Sequence, residues 1–126
     1  MNKIILMLML SLVSITARAT AVDDLIQQWA SETGTTGNAA QGAVLWTVES
    51  DQGRSCSQCH NADVTLPGKH ITTNKLIDPM APSVNPVRLT DVADVEKWLA
   101  RNCRWTYGRA CISVEKLDIL TWLREQ

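Results

Sequence analysis

Two cysteines separated by two residues and followed at once by a histidine constrain this chain more than any other feature. They form the stretch CSQCH, Cys56 to His60. Two thiols at this spacing fit on one short turn, where they can add to the two vinyl groups of a haem. The next residue is then held beneath the iron, so His60 is placed to be the proximal ligand. The second ring nitrogen of His60 then needs a partner, for which a backbone carbonyl in residues 65–68 is the candidate. The motif therefore predicts one covalently attached haem c.

Two other kinds of CxxC site fit the sequence less well. A thioredoxin-like redox motif belongs to a βαβ unit, and the chain shows no alternating strand pattern. A zinc site needs a second pair of ligands at short spacing, and Cys103 and Cys111 are too far apart for a usual zinc knuckle. Haem attachment is therefore the interpretation that the motif favours.

The first 19 or 21 residues predict a cleaved secretory signal peptide. Lys3 precedes the apolar run 4–12, and small residues suited to cleavage follow around Ala19. The run is shorter than the roughly 20 residues that span a bilayer, so a membrane anchor is the weaker alternative. Export places the cysteines in an oxidising compartment, the periplasm, where disulfides persist. Residues 20–126 then form one domain without a membrane span, and nothing in their composition predicts nucleic-acid binding.

Apolar spacing predicts an all-α domain with a long irregular middle. Helices are predicted over residues 22–31, after the N-cap Asn38, from Thr90 or Asp91 to Asn102, and from Ser113 onward. Residues 61–89 contain four prolines, which exclude a long helix, and a loop of this length in a small domain usually wraps something. The apolar side of the second helix is predicted to comprise Val44, Leu45 and Val48.

The stretch GNAAQGAVLW before CSQCH resembles the N-terminal helix of class I cytochromes c. Gly42 and Trp46 stand where that family has its usual glycine and aromatic residue. The resemblance implies a helical domain wrapped around the haem, with 61–89 as the loop between CxxCH and the distal helix. It also implies that Gly42 lets the N-terminal and C-terminal helices cross closely. Such a role would explain a glycine that costs about 1 kcal/mol relative to alanine inside a helix.

The sixth iron ligand decides the function, because a strong ligand gives an electron carrier and a weak one admits small molecules. Met80 is the only methionine beyond the leader, but it lies closer to His60 than class I cytochromes place their ligand. His70, ten residues past His60, would have to cross to the opposite haem face. Asn102 continues the apolar stripe of its helix, where a buried amide needs a partner. The same residue also fits a C-terminal helix cap, so the pattern alone leaves both roles open.

Residues 79–123, from PMAPSVNP to DILTWL, closely resemble the SHP-type cytochromes c, the sphaeroides haem proteins. Together with CSQCH and the helix before it, the resemblance covers nearly all of residues 20–126, which are thus expected to be a cytochrome c domain. The family pattern NCxWxxGRxC runs here from Asn102 to Cys111. It implies that Asn102 binds ferric iron and that Cys103 and Cys111 form a disulfide. Related cytochromes c'' have histidine at the ligand position, so the asparagine favours the SHP branch.

The resemblance also implies a function. An SHP-type protein transfers electrons, and its asparagine leaves on reduction so that ferrous haem binds O₂, NO or CO. A dihaem cytochrome c or a membrane cytochrome b is the expected electron donor, and the protein is expected to be a monomer. The alternative is a plain electron carrier with permanent ligation by Met80 or His70. Acid–base catalysis has no support, because no further distal His, Arg or Glu can be placed, which leaves at most a minor reduction of O₂ or NO.

Further haem contacts are expected from residues near the motif and along the distal helix. Tryptophans 98 and 105 are expected to pack on the haem, because the chain has no phenylalanine, and basic side chains are expected near the propionates. Haem contacts are also expected from Trp46, Met80, Arg88, Leu99 and Lys75.

Overall fold

The structure, a computed structural model, describes residues 21–126; the predicted signal peptide lies outside this range apart from its alternative final residue. Five helices and one short ladder make up the described chain. None of these helices is long and apolar enough to cross a membrane. The elements are α1 (Ala21–Thr33), α2 (Ala39–Thr47), α3 (Ser57–His60), β1 (Gly68–Lys69), β2 (Leu76–Ile77), α4 (Val92–Tyr107) and α5 (Ser113–Arg124).

The C-terminal helix α5 is the centre of the protein core. It packs against both α1 and α2, and half of its residues are buried. α1 contributes three buried side chains at helical spacing. This spacing lets α1 form a helix whose apolar side packs on α5. The buried apolar residues of these two helices are Val22, Leu25, Trp29, Leu117, Ile119, Leu120 and Leu123.

α2 and α5 cross in close contact at Gly42. A Cβ atom at this position would lie 2.1 Å from the carbonyl oxygen of Asp118 and 2.8 Å from Cβ of Trp122. The predicted close crossing is therefore confirmed. The predicted apolar side of α2 is wrong for Val44 and Val48, which are 51% and 43% exposed, whereas Leu45 is partly buried against the core. α2 turns Gly42 and Trp46 toward the protein instead, since the crossing requires the residue without a side chain.

α4 is longer than the sequence predicts. Its N-cap is Asp91, whose side chain accepts a hydrogen bond from the amide of Asp94, as expected. It continues past Asn102 to Tyr107 and ends at Gly108, which adopts a left-handed conformation with φ of 68°. The prediction that α4 ends at Asn102 is wrong, and so is the alternative of Asn102 as a C-terminal cap. Asn102 lies inside the helix.

The segment between α3 and α4 is irregular, as predicted, apart from one small ladder. β1 and β2 pair antiparallel, with Gly68 opposite Ile77. Two residues per strand are too few for an alternating pattern to be visible in the sequence. Hydrogen bonds also join the beginning and the later part of this segment. The carbonyl oxygen of Val64 accepts from the amides of Met80 and Ala81, each at 3.0 Å.

Candidate haem site

The CSQCH residues form a single helical turn, α3. The amides of Cys59 and His60 donate to the carbonyl oxygen of Cys56 at 3.3 and 3.1 Å, so both thiols and the imidazole project from one turn. Neither thiol is in a disulfide, and burial raises the pKa of the Cys56 thiol. Both sulfurs are therefore available for covalent attachment, as the motif requires.

His60 is held as a neutral imidazole. Burial lowers its pKa to about 4, and the nearby positive charges of Arg88 and His70 act in the same direction. The neutral ring is the form that coordinates a metal. Nδ1 of His60 is buried without a hydrogen-bond partner among residues 21–126. The predicted carbonyl partner in residues 65–68 is therefore wrong, and the carbonyl oxygen of Pro67 instead accepts from Nδ2 of Asn61 at 3.4 Å.

Trp46 packs beside His60. The ring centroids of the two residues are 5.5 Å apart, and Nε1 of Trp46 donates to the carbonyl oxygen of Asn61 at 2.9 Å. Trp46 is also 5.4 Å from the ring of Trp122 on α5. This buried tryptophan therefore connects the helix crossing to the histidine.

Asn102 lies on the apolar side of α4 and is half-buried. Val95 and Leu99, on the same side, are only partly buried by the protein. Among the described residues, no hydrogen bond is formed by the side-chain amide of Asn102. The amide is only half-buried, so it is free to meet a group outside the polypeptide on a helix face that the protein does not fully cover.

The end of α4 is fastened to the rest of the protein at several points. Cys103 and Cys111 form the expected disulfide, with a Cα–Cα distance of 5.5 Å, which joins α4 to the residue before the N-cap of α5. Tyr107 donates from its hydroxyl to the carbonyl oxygen of Leu45 at 2.7 Å. Nη1 of Arg54 donates to the carbonyl oxygen of Trp105 at 2.9 Å. Asn102 thus stands one residue before a covalent and hydrogen-bonded anchor.

Sequence reasoning missed Tyr107 and Arg54 as parts of this anchor. Tyr107 lies one turn beyond Cys103, so the signal was present but hidden by ending the predicted helix too early. Thr106 is buried and accepts a hydrogen bond at its carbonyl oxygen from the Ser50 hydroxyl. These contacts bring residues 50–56 against the last turn of α4.

The other predicted contacts occupy distinct places in the irregular segment. Met80 is partly buried against the core cluster. The Arg88 side chain donates to the carbonyl oxygens of Asp78 and Pro79, at 2.8 and 3.0 Å. Lys75 is exposed. Nδ1 of His70 accepts hydrogen bonds from the amides of residues 72 and 73, at 3.3 and 3.2 Å.

Comparison with known proteins places the chain in a family. A family described as a domain of unknown function, DUF1924, matches residues 32–123. The cytochrome c-type protein SHP of Cereibacter sphaeroides is 42% identical over 111 residues, which is 85% of each protein. The chain belongs to the SHP family of c-type cytochromes. Membership implies a covalently bound haem c, and the family resemblance predicted from the sequence is confirmed.

Solved structures of relatives have the same fold. A structure of oxidised SHP, described as an oxygen-binding cytochrome c, superposes with a TM-score of 0.80 at 42% identity, covering 86% of this chain and all of that one. Cytochrome c'' of Methylophilus methylotrophus is 36% identical over 69 residues, which is 55% of this chain but only 48% of that protein. Its oxidised crystal structure has a TM-score of 0.74 over 84% of this chain and 94% of that one. The predicted all-α, haem-wrapping fold class is confirmed.

The side chains of the site fit a haem c of this family. Free Cys56 and Cys59 supply the two thiols, and a neutral His60 follows them on the same turn. Two thiols and a neutral imidazole on one turn are the groups needed to attach a haem covalently and to bind its iron. The half-buried amide of Asn102 lies on a separate helix, α4.

Proposed function

We propose that this SHP-family protein is a periplasmic monohaem cytochrome c with a labile asparagine ligand. His60 is the proximal ligand, and Asn102 binds the iron in the ferric state and leaves on reduction. The protein transfers electrons, and in the reduced state it binds O₂, NO or CO. The observation that carries the proposal is the amide of Asn102, which lies inside α4 rather than at its end and has no hydrogen-bond partner among the described residues.

The chemistry of an amide explains why this ligand would be labile. A bound haem supplies an iron that changes between ferric and ferrous states and can take up a diatomic molecule. Asn102 offers a neutral, hard donor, which suits ferric iron better than the softer ferrous iron. Reduction would therefore weaken the hold of Asn102, and its side chain would be able to turn away without movement of α4, whose end is anchored.

The remaining residues have supporting roles. Cys56 and Cys59 hold the haem covalently, and Trp46 packs at the proximal side next to His60. Leu99 lies one turn before Asn102 and Cys103 and supplies apolar surface on the distal side. Arg88 and Lys75 are the candidate cations for the propionates; the Arg88 side chain is held by the carbonyl oxygens of Asp78 and Pro79, and Lys75 is exposed.

The alternative is a plain electron carrier in which Met80 or His70 is a permanent ligand. Met80 is bound through its backbone to Val64, and its side chain packs on the core, which supports a packing role. His70 uses Nδ1 to accept two amide hydrogen bonds in its own turn, which supports a structural role. Two relatives support a sixth ligand that can leave the iron. SHP is described as oxygen-binding, and a solution structure of cytochrome c'' is described in terms of haem-ligand detachment.

The deciding experiment compares the absorption spectra of wild type and Asn102→Ala, with Glu96→Ala as an exposed control on the same helix. Asn102→Ala is expected to change the ferric spectrum, whereas Glu96→Ala leaves it unchanged. The ferrous spectra of all three proteins should be high-spin and should shift with carbon monoxide, because the amide has already left. An unchanged ferric spectrum in Asn102→Ala would remove Asn102 as the ligand. A low-spin ferrous spectrum that does not change when carbon monoxide is added would establish the plain electron carrier.

The resemblance to SHP-type cytochromes also suggests the electron donor of this protein. A dihaem cytochrome c or a membrane cytochrome b would reduce the protein, which acts as a monomer. Residues 1–19 or 1–21 would direct export before removal. Stopped-flow reduction of the purified ferric protein by a dihaem cytochrome c tests the donor directly, and steady turnover of NO with O₂ would show that the protein is also an enzyme.

A further inference from the structure

Three arginines lie on or against the C-terminal half of α4, and among the described residues none of them is paired with an acidic side chain. Arg101 and Arg104 are exposed on α4, one residue before and two residues after Asn102. Arg54 reaches the same helix through its hydrogen bond to the carbonyl oxygen of Trp105. In the described part of the chain, none of these three forms a salt bridge. We name Arg54, Arg101 and Arg104 the arginine patch.

Aromatic rings hold two members of the arginine patch in place. The guanidinium carbon of Arg101 lies 5.0 Å from the ring centroid of Trp98, and that of Arg54 lies 4.8 Å from the ring of Trp105. A guanidinium stacked on a ring has fewer rotamers to lose when it binds a partner. Two of the three guanidinium groups are therefore preorganised, whereas an unstacked surface arginine is not.

The charges around the patch leave it cationic. On the same side of α4, Asp94 is already paired with Lys97. Glu49 and Asp51 precede Arg54 in sequence and are exposed, but neither forms a salt bridge with the patch. The chain as a whole has a formal charge of −1, so this is a local cationic surface on a slightly acidic protein. Guanidinium groups match carboxylates in geometry as well as in charge.

We propose that the arginine patch is the docking site for an acidic redox partner protein, which binds against the distal helix beside Asn102. The partner's role in electron transfer rests on the proposed function, whereas binding depends only on the surface. Charges at such a contact set mainly the association rate and its dependence on salt. Docking here places the partner within one helical turn of the candidate ligand.

The test uses the ferric holoprotein and a poly-L-glutamate peptide as the acidic probe, with calorimetry at low ionic strength. The double variant Arg101→Gln/Arg104→Gln is compared with Lys69→Gln/Lys116→Gln, which removes the same charge from β1 and α5. We expect wild-type binding that weakens with salt, a loss of about tenfold in affinity for the arginine variant, and little change for the lysine variant. Unchanged far-ultraviolet circular dichroism would show that both variants fold.

Three results would overturn the proposal. They are no binding of the peptide by the wild type, equal losses in the two double variants, and an arginine-dependent binding to phosphatidylglycerol vesicles without binding of the peptide. The last result would assign the patch to a membrane surface. Asn102→Ala separates this proposal from the proposed function, because it should lose the ferric ligand and still bind the peptide as the wild type does.

Discussion

Replacing Gly42 by alanine tests the helix crossing on which the haem-attachment turn depends. The new Cβ would lie 2.1 Å from the carbonyl oxygen of Asp118, where ordinary contacts are 3.4 to 4 Å, so α2 and α5 must separate by more than about 1 Å. Overpacking of this kind costs typically about 1–3 kcal/mol. The same substitution gains up to about 1 kcal/mol of helix propensity. We therefore expect Gly42→Ala to lower the free energy of unfolding by about 1–2 kcal/mol.

The sign of this change is what tests the reasoning. Guanidinium denaturation of the holoprotein measures the free energy of unfolding, and Ala40→Gly, at an exposed position of the same helix, measures the propensity term alone. If Gly42→Ala stabilises the protein by as much as Ala40→Gly destabilises it, the crossing is not tight and the argument is refuted. A second effect is expected at the site, because Trp46 packs on both Trp122 and His60, at 5.4 and 5.5 Å. Displacing α5 should therefore shift the haem absorption bands as well.

Two further predictions concern the end of α4 and the start of α5. Removing the disulfide in Cys103→Ser/Cys111→Ser, which spans a sequence separation of 8, should lower the free energy of unfolding by about 2.5 kcal/mol in urea denaturation. The ferric spectrum should stay unchanged because Tyr107 and Arg54 still anchor α4, and an altered spectrum would show that the bridge itself positions Asn102. Arg109 holds the pKa of Glu115 below its ordinary value, so the stabilisation is present at neutral pH and is lost as the pH falls through that lowered pKa. Glu115→Gln should therefore lose less stability on acidification than wild type, and a pH dependence identical to that of wild type and of the exposed control Glu96→Gln would contradict this.

The haem-attachment turn and the helix crossing were predictable because each depends on local chemistry. Covalent haem attachment requires both thiols and the imidazole on one turn, which the spacing of Cys56, Cys59 and His60 provides. A glycine inside an apolar helix is favourable where another helix packs closely against it, as at Gly42. Family resemblance supplied what spacing could not, namely the pairing of Cys103 with Cys111. The roles assigned to Asn102 and to the propionate contacts remain predictions.

The errors arose where tertiary contacts overrode local pattern. The sequence placed Val44 and Val48 on the buried side of α2, but the crossing rotates that helix to present Gly42. α4 continues past the predicted end at Asn102, and its last turns are held by the Cys103–Cys111 disulfide and by the Tyr107 hydrogen bond to Leu45, which no local pattern shows. Spacing suggested a carbonyl partner for Nδ1 of His60, but this atom has no partner among residues 21–126, and the carbonyl of Pro67 accepts from Asn61.

The anchored end of α4 has a consequence for the speed of ligand exchange. Asn102 is adjacent to Cys103, whose position is fixed by the disulfide, and Tyr107 and Trp105 are fixed through their own contacts. Release of the amide under the proposed function therefore requires rotation of one side chain rather than displacement of a helix. Rotations of exposed side chains take picoseconds to nanoseconds, whereas collective helix shifts take microseconds to milliseconds. Opening of the coordination site would then not wait for a helix to move, and its rate would be set by breaking of the amide–iron bond and by rotation of one side chain.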